Sequence, residues 1–174
     1  MRAPRCGRCL LLSAAAVLLV ACTGLAPGRR GTEDASARAV LEAPTTAPIQ
    51  TVNNLTLVYA TINDTHGALM IVDTGAQRTI LTPSLLRRMN LSVPDDAPRR
   101  KMYVVGGQAL DVPFIRIASV RAGAAAVENL EVGVYDVAPR ARAVDGLLGG
   151  DFLRHFKVTL DAQDRLLRLE PLAR

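Results

Sequence analysis

The stretch Ala68-Leu-Met-Ile-Val-Asp-Thr-Gly-Ala76 decides the fold of this chain. Five apolar residues run directly into Asp73-Thr74-Gly75, and apolar sequence resumes at Thr79-Ile80-Leu81. A carboxylate beside a buried strand is costly unless hydrogen bonds hold it or chemistry needs it. Thr74 can donate and accept hydrogen bonds, and Gly75 permits a tight turn that nothing blocks from outside. The stretch therefore predicts a strand that presents a rigidly held carboxyl group at the mouth of a cleft.

Two segments together resemble the retroviral-type (retropepsin-like) aspartic proteases, in particular the small bacterial members of that family. The first, called the aspartate segment below, is Leu69-Met-Ile-Val-Asp-Thr-Gly-Ala-Gln-Arg-Thr-Ile-Leu-Thr-Pro-Ser-Leu-Leu86. The second, called the glycine segment, is Asp145-Gly-Leu-Leu-Gly-Gly-Asp-Phe-Leu-Arg-His-Phe-Lys-Val-Thr-Leu-Asp161. The resemblance covers about Leu55 to Pro171, and the two segments in this order are far more specific than either alone.

The resemblance implies an all-β fold, a single-lobe retropepsin-like closed β-barrel with one or two short helices that is active as a homodimer. It implies that Asp73 is catalytic and that Thr74, Gly75 and Ala76 support the active site. Ala76 has no hydroxyl group that could hydrogen-bond the outer carboxylate oxygen. The resemblance also implies that part of the glycine segment passes behind the catalytic loop, where we expect a structural role for Asp145, Gly146, Leu147, Leu148 and Gly149.

The chain contains a single Asp-Thr-Gly, at residues 73–75. Peptide hydrolysis at a carboxyl site needs one group that takes a proton from water and another that gives one to the leaving nitrogen. Aspartic proteases use two carboxyl groups that share one proton, because both cannot ionise so close together. The body of the chain is too short for two such lobes. A catalytic protein must therefore pair with itself, as a twofold dimer with one Asp73 from each copy.

Residues 55–172 predict a mainly β domain. Leu55 to Ile62 is rich in β-branched and aliphatic residues, and the polar turn 63–67 separates it from the strand that precedes Asp73. Thr82 and Pro83 predict the start of a short helix. Asp151 is interpreted as the cap of a second helix, after which two short strands flank a turn at 161–165.

Lys101 to Val105 and Ala109 to Ile117 flank Gly106-Gly107. Two glycines between apolar runs predict a hairpin, which needs no further explanation. The family resemblance implies that this hairpin is a mobile flap that closes over a bound peptide. Both interpretations can hold, because a flap is a hairpin whose tip contacts the substrate.

The N-terminus, residues 1–21, is predicted to be a lipoprotein signal peptide. Arg2, Arg5 and Arg8 precede an apolar run from Leu10 to Val20 that is too short for a comfortable membrane span. Leu19-Val-Ala-Cys22 is similar to the bacterial lipobox, in which cleavage before the cysteine leaves a thiol that becomes lipidated. We therefore expect a lipid-anchored protein of the bacterial cell envelope, on the outer membrane and facing the periplasm.

Residues 22–54 are rich in Ala, Thr, Pro and charge and are predicted to be a flexible tether. The formal charge of +5 falls to +2 without the three leader arginines, because 18 basic and 16 acidic residues remain. No basic run with interleaved aromatics is present, so nucleic acid is not an expected partner. After cleavage of residues 1–21 and lipidation of Cys22, no free cysteine would remain. We expect neither a metal nor a cofactor.

The leading hypothesis is an aspartic endopeptidase that acts on peptides or unfolded proteins. An alternative is a non-catalytic peptide-binding or protein-binding envelope lipoprotein with the same fold. A third is a structural lipoprotein, for which both segments would be coincidental.

Overall fold

The structure is a computed structural model, and it describes residues 36–103, 109–139 and 143–172. All of these lie in one compact unit, Asp34–Arg174; the other unit, Met1–Glu33, lies outside the described residues. The predicted signal peptide and Cys22 therefore remain predictions. None of the helices among the described residues is long and apolar enough to cross a membrane.

Strands dominate the described part of the chain, with two short helices. The elements are β1 (Arg38–Val40), β2 (Thr45–Val52), β3 (Leu55–Ile62), β4 (His66–Val72), β5 (Ile80–Leu81), α1 (Pro83–Arg88), β6 (Arg99–Tyr103), β7 (Ala109–Ala122), β8 (Ala125–Val134), β9 (Gly146–Leu148), α2 (Gly150–Leu153), β10 (Phe156–Asp161) and β11 (Leu166–Pro171). The all-β prediction is confirmed.

Six strands pair in a closed circuit. β3 is antiparallel to β4, β4 is parallel to β9, and β9 is antiparallel to β5. β5 is parallel to β8, β8 is antiparallel to β7, and β7 pairs back to β3. The side chains that alternate inwards form one continuous hydrophobic core, whose fully buried members include Val58, Met70, Leu130, Leu148 and Phe152. Since this core lies within Asp34–Arg174, we expect that unit to fold on its own.

The prediction that residues 22–54 form a flexible tether is wrong for the part that contains β1 and β2. β2 lies between β3 and β11 and is hydrogen-bonded to both, and β1 pairs with β8. Ala47 and Ile49 of β2 belong to the hydrophobic core, because alternate residues of this strand face inwards. Asn53 and Asn54 both have positive φ, as expected for a two-residue hairpin turn between β2 and β3. The folded domain therefore begins well before residue 55.

The local predictions for the hairpin and the first helix are confirmed. β3 and β4 form the predicted hairpin, with Asn63 and Asp64 in the turn at positive φ. Thr82 caps α1, and its hydroxyl oxygen accepts a hydrogen bond from the backbone N–H of Leu85 at 3.2 Å. Pro83 is at the start of α1, where its missing N–H costs nothing.

The importance of β2 can be tested by truncation. A chain that begins at Asp34 should unfold cooperatively, whereas a chain that begins at Asn53 should lose about 5 kcal/mol or more, which is the size of a typical domain's total stability. The reason is that the shorter chain lacks Ala47, Ile49 and the hydrogen bonds that β2 makes along both edges. Thermal unfolding followed by circular dichroism measures this. Equal stability of the two chains would contradict the role given to β2.

Candidate active site

Asp73 follows directly after the last residue of β4 and is half-buried, while Thr74 and Gly75 are exposed. Its carboxylate oxygen Oδ1 accepts hydrogen bonds from the backbone N–H groups of Gly75, at 2.9 Å, and Ala76, at 3.1 Å. Its own N–H donates to the carbonyl oxygen of Leu148 at 3.1 Å. Within the described part of the chain, hydrogen bonds reach Oδ1 and none reaches Oδ2. The loop therefore holds Oδ1 through its own backbone and leaves Oδ2 without a hydrogen bond from the described residues.

The glycine segment lies directly against the loop that carries Asp73. β9 runs parallel to β4 and antiparallel to β5, so it is inserted between the strands on either side of the loop. The N–H of Gly150 donates to the carbonyl oxygen of Ala76 at 2.7 Å, and the N–H of Asp151 donates to that of Gln77 at 3.1 Å. These contacts place the glycine segment behind the loop that carries Asp73, and its expected support of a catalytic site stays a prediction.

Asp151 holds the end of the loop, and the sequence interpretation of this residue was wrong. α2 is capped by Gly149 without a side-chain hydrogen bond. The Asp151 side chain is almost completely buried and accepts hydrogen bonds from Thr79 instead. The backbone N–H of Thr79 is 2.9 Å from both carboxylate oxygens, and the Thr79 hydroxyl donates to Oδ1 at 2.6 Å. The signal for this role was an acidic residue in an otherwise apolar and glycine-rich stretch.

The glycines of this segment are required by close packing against the backbone of the aspartate segment. A Cβ atom on Gly149 would lie 2.5 Å from the backbone carbonyl of Arg78. A Cβ atom on Gly146 would collide with the carbonyl oxygen of Ile80. The N–H of Gly149 also donates to the Thr79 hydroxyl oxygen at 3.2 Å. Backbone atoms therefore bound the loop on its inner side, and they leave no room for a side chain at Gly146 or Gly149.

Asp145 makes only structural contacts among the described residues. One carboxylate oxygen accepts the backbone N–H of Leu69 at 3.0 Å, and the other lies 2.9 Å from the guanidinium of Arg88. The backbone carbonyl of Asp145 accepts from the N–H of Thr82 at 2.8 Å. Asp145 therefore connects β4 to the start and the end of α1. Arg88 was not identified from the sequence, because its partner lies far along the chain.

An apolar row lies next to Asp73 on the outer side of the sheet. Ile71 is two residues before Asp73, so strand alternation places both side chains on the same side. Leu57 of β3 and Leu147 of β9 are the cross-strand neighbours of Ile71. Ile71 and Leu147 are only partly buried. The carboxylate is therefore bordered by an apolar surface that remains in contact with solvent.

The hairpin formed by β6 and β7 carries the predicted flap. Gly106 and Gly107, which would form its tip, lie outside the described residues, so the flap remains a prediction. At the base of the hairpin, Arg100 pairs with Glu131 of β8, and its guanidinium carbon lies 4.7 Å from the ring centroid of Phe114. The hydrogen bond from Arg100 lowers the pKa of Glu131 below its ordinary value.

Comparisons with known proteins agree with this architecture. The family model described as "Aspartyl protease" matches residues 58–152, which is more than half of the chain. The chain therefore belongs to the aspartyl protease family, and the predicted retropepsin-like relationship is confirmed. No curated protein matches the sequence.

A solved structure from the comparisons shows the same fold. A retropepsin-like aspartic protease from Rickettsia conorii is similar, with a TM-score of 0.55 and 20% sequence identity, over 78% of this chain and 94% of that one. The EIAV protease complexed with the inhibitor HBY-793 is also found, with a TM-score of 0.46 and 19% identity, over 60% of this chain and 90% of that one. At these identities the likeness to the Rickettsia protein concerns the fold.

Removing the Asp151 carboxylate should destabilise the domain. Asp151→Ala leaves the buried N–H and hydroxyl of Thr79 without their acceptor, so we expect a loss of about 2–4 kcal/mol in the free energy of unfolding. Asp151→Asn keeps one carbonyl oxygen and should cost less. Urea unfolding measures both, with Asp95→Ala on the exposed 91–98 loop as a control that changes stability by less than about 0.5 kcal/mol. Equal effects of Asp151→Ala and Asp95→Ala would contradict the bracing role.

Two glycine-to-alanine substitutions should differ sharply in their effect on the free energy of unfolding. Gly149→Ala places a methyl group against the backbone at Arg78 and should cost about 3 kcal/mol. Gly67→Ala is a matched control in β4, because a Cβ atom there meets nothing within 4 Å. The two unfolding midpoints in urea provide the comparison. A Gly149→Ala protein as stable as Gly67→Ala would show that the two segments are not in tight contact.

Proposed function

We propose that this protein is an aspartic endopeptidase whose active site forms when two copies bring their Asp73 side chains together. The observation that carries the proposal is the half-buried Asp73 carboxylate, whose Oδ1 accepts hydrogen bonds from the N–H groups of Gly75 and Ala76 while no described residue hydrogen-bonds Oδ2. A carboxylate held in this way is oriented before substrate arrives, and such orientation contributes directly to catalysis. Membership of the aspartyl protease family supports the same conclusion.

The reaction needs two carboxyl groups that differ in protonation. One carboxylate takes a proton from a water molecule, which attacks the peptide carbonyl carbon, while the protonated partner carboxyl donates its proton to the carbonyl oxygen. The first carboxyl then gives the proton it took from water to the leaving nitrogen as the C–N bond breaks, and the partner regains its proton from a hydroxyl group of the tetrahedral intermediate. The chain has a single Asp-Thr-Gly, so the second carboxyl comes from Asp73 of another copy. Thr74 would brace the two loops against each other, and the backbone near Gly75 would bind substrate.

The proposed substrate is an extended peptide with apolar side chains next to the bond that is cleaved. Ile71 and Leu147 border Asp73 and are partly exposed, so an apolar side chain seated on them would remove apolar surface from water. An extended backbone could also add strand-like hydrogen bonds to the predicted flap at Gly106 and Gly107. Peptides or unfolded proteins present such segments, whereas folded proteins mostly bury them.

We also propose, from the sequence alone, that the mature protein is anchored to the outer membrane by a lipid on Cys22. This places the catalytic domain in the periplasm. Mass spectrometry of the protein purified from membranes tests it, since Cys22→Ser should abolish the lipid modification while leaving the unit Asp34–Arg174 folded. An unmodified Cys22 in mature protein would contradict the proposal.

The catalytic role of Asp73 is tested with the unit Asp34–Arg174 and an unfolded protein substrate. Asp73→Asn keeps the size of the side chain and its acceptor oxygen but removes the acid, so cleavage should fall by at least about 1,000-fold. Asp95→Asn, at an exposed position in the 91–98 loop, is the matched control and should cleave at the normal rate. The products are followed by mass spectrometry.

Binding of the same substrate distinguishes the alternatives. If Asp73→Asn binds the unfolded protein and leaves it intact while the normal protein cleaves it, the proposal is supported. If the normal protein binds but does not cleave, the protein is a peptide-binding lipoprotein with this fold. Equal cleavage by the normal protein and Asp73→Asn would contradict the proposed mechanism.

A further inference from the structure

A small cavity is lined by three arginines that come from different parts of the chain. It has a volume of about 180 Å³ and is called the arginine cavity below. Arg78 belongs to the loop that follows Asp73, Arg116 belongs to β7, and Arg154 is the C-terminal cap of α2. Because these residues are far apart in the chain, only folding brings their positive charges together.

Two carboxylates also line the arginine cavity, and both already have partners. Both oxygens of Asp151 accept a hydrogen bond from the N–H of Thr79, and Glu131 pairs with Arg100. Even with Arg116 left out, the other two arginines of the cavity and Arg100 outnumber these two carboxylates. The described residues therefore give the cavity an excess of positive charge.

Arg78 and Arg154 are the arginines of the cavity that can offer their donors to a ligand. Arg78 is half-buried, Arg154 is exposed, and no carboxylate of the described residues forms an ion pair with either. Arg116 donates to the backbone carbonyl of Asn129 at 2.9 Å. Positive charges that share one cavity repel each other, so an anion held by Arg78 and Arg154 would stabilise the folded state.

The electrostatic effect of these arginines is evident at Glu131, which lies in the cavity wall. The pKa of Glu131 is lowered, first by the hydrogen bond from Arg100 and further by the charges of Arg100, Arg116 and Arg78, although burial raises it. The same charges would favour the ionised form of a ligand in the cavity.

The size and charge of the arginine cavity favour a phosphate group. Pockets for drug-sized ligands measure about 300–1,000 Å³, so a cavity of about 180 Å³ suits a smaller group. A phosphate monoester carries a charge of about −1.5 to −2 at neutral pH and has three strong acceptor oxygens. It can therefore accept hydrogen bonds from two arginines and offset both charges, whereas a carboxylate carries a single charge.

We propose that the arginine cavity binds a phosphate group through Arg78 and Arg154. Arg78 directly precedes Thr79 in the aspartate segment, and Arg154 belongs to the glycine segment. The bound group would connect these two segments, in addition to the hydrogen bonds from Thr79 to Asp151. Phosphate would thereby stabilise the end of the loop that carries Asp73.

The phosphate group could come from a soluble phosphate compound or from a lipid headgroup. The second source rests on the proposed lipid anchor at Cys22. Ser36 lines the arginine cavity and is 14 residues after Cys22, a length that spans at most about 50 Å when fully extended. The cavity of an anchored protein would therefore stay close enough to the membrane surface to meet headgroups.

Calorimetric titration of inorganic phosphate into the unit Asp34–Arg174 tests the site. One phosphate should bind per copy, and Arg78→Gln and Arg154→Gln should each weaken binding at least about tenfold, because each removes charge-assisted hydrogen bonds. Arg87→Gln, at an exposed arginine of α1, is the matched control and should change the affinity by less than about twofold. Acetate should bind at least about tenfold more weakly than phosphate.

Thermal unfolding provides the second measurement. Phosphate should raise the unfolding midpoint of the unmodified unit and of Arg87→Gln, because it binds the folded state alone, and it should leave the midpoint of Arg154→Gln unchanged. Circular dichroism establishes that each variant is folded. Should Arg78→Gln fail to fold, the exposed Arg154 still gives a decisive comparison with Arg87.

Vesicles of phosphatidylcholine, with and without phosphatidic acid, distinguish the two sources. If the unit sediments with the phosphatidic acid vesicles, and Arg154→Gln abolishes this while Arg87→Gln does not, the site takes a lipid headgroup. If inorganic phosphate binds but no vesicle does, the site takes a soluble phosphate compound. Either result supports the phosphate site.

Three outcomes overturn the proposal. They are the absence of phosphate binding, an equal loss of binding in Arg87→Gln and Arg154→Gln, and acetate binding as tight as that of phosphate. None of these measurements involves cleavage of a peptide. A phosphate site in a protein without peptidase activity therefore contradicts only the proposed function, and an active peptidase without phosphate binding contradicts only the site.

Discussion

The structure depends on the buried carboxylate of Asp151 and its three hydrogen bonds from Thr79. These residues are 72 positions apart in the chain, and no local pattern brings them together. A buried carboxylate without hydrogen-bond partners would be strongly destabilising, so the folded state is stable only when Thr79 donates to Asp151. Because Thr79 directly precedes β5, the strand that leaves the Asp73 loop, the same hydrogen bonds determine where that loop ends. One end of the loop that holds the candidate catalytic group is therefore fixed by a residue outside the loop.

The glycine segment and the aspartate segment act as one structural unit. β9 supplies hydrogen bonds to β4 and β5, the Leu148 carbonyl accepts the N–H of Asp73, and Gly149 lies against the Arg78 backbone. Each contact uses backbone atoms, which cannot adopt alternative rotamers. The loop is consequently supported from behind by groups that do not move independently, while its outer side, at Thr74 and Gly75, stays exposed.

Those parts of the structure that depend on neighbouring residues could be predicted from the sequence. The strand before Asp73, the turn at Asn63 and the Thr82 cap of α1 each follow from short patterns. The predictions that were wrong concern residues whose contacts lie far away along the chain. β2 was taken for a flexible tether because the segment 22–54 is rich in Ala, Thr, Pro and charge, and only the pairing of β2 with β3 and β11 makes it a strand. Asp151 was taken for a helix cap because an acid after two glycines fits that role locally.

The order of the strands also has a consequence for the way the protein is made. β2 pairs with β11, and the Asp73 loop is completed by residues from near the end of the chain. Contacts between such distant residues form slowly, because the intervening chain must lose its freedom first. During synthesis the ribosome releases Asp73 long before Asp151. A nascent or truncated chain therefore carries the acidic residue without the geometry that orients it, and only a finished polypeptide holds an organised carboxylate.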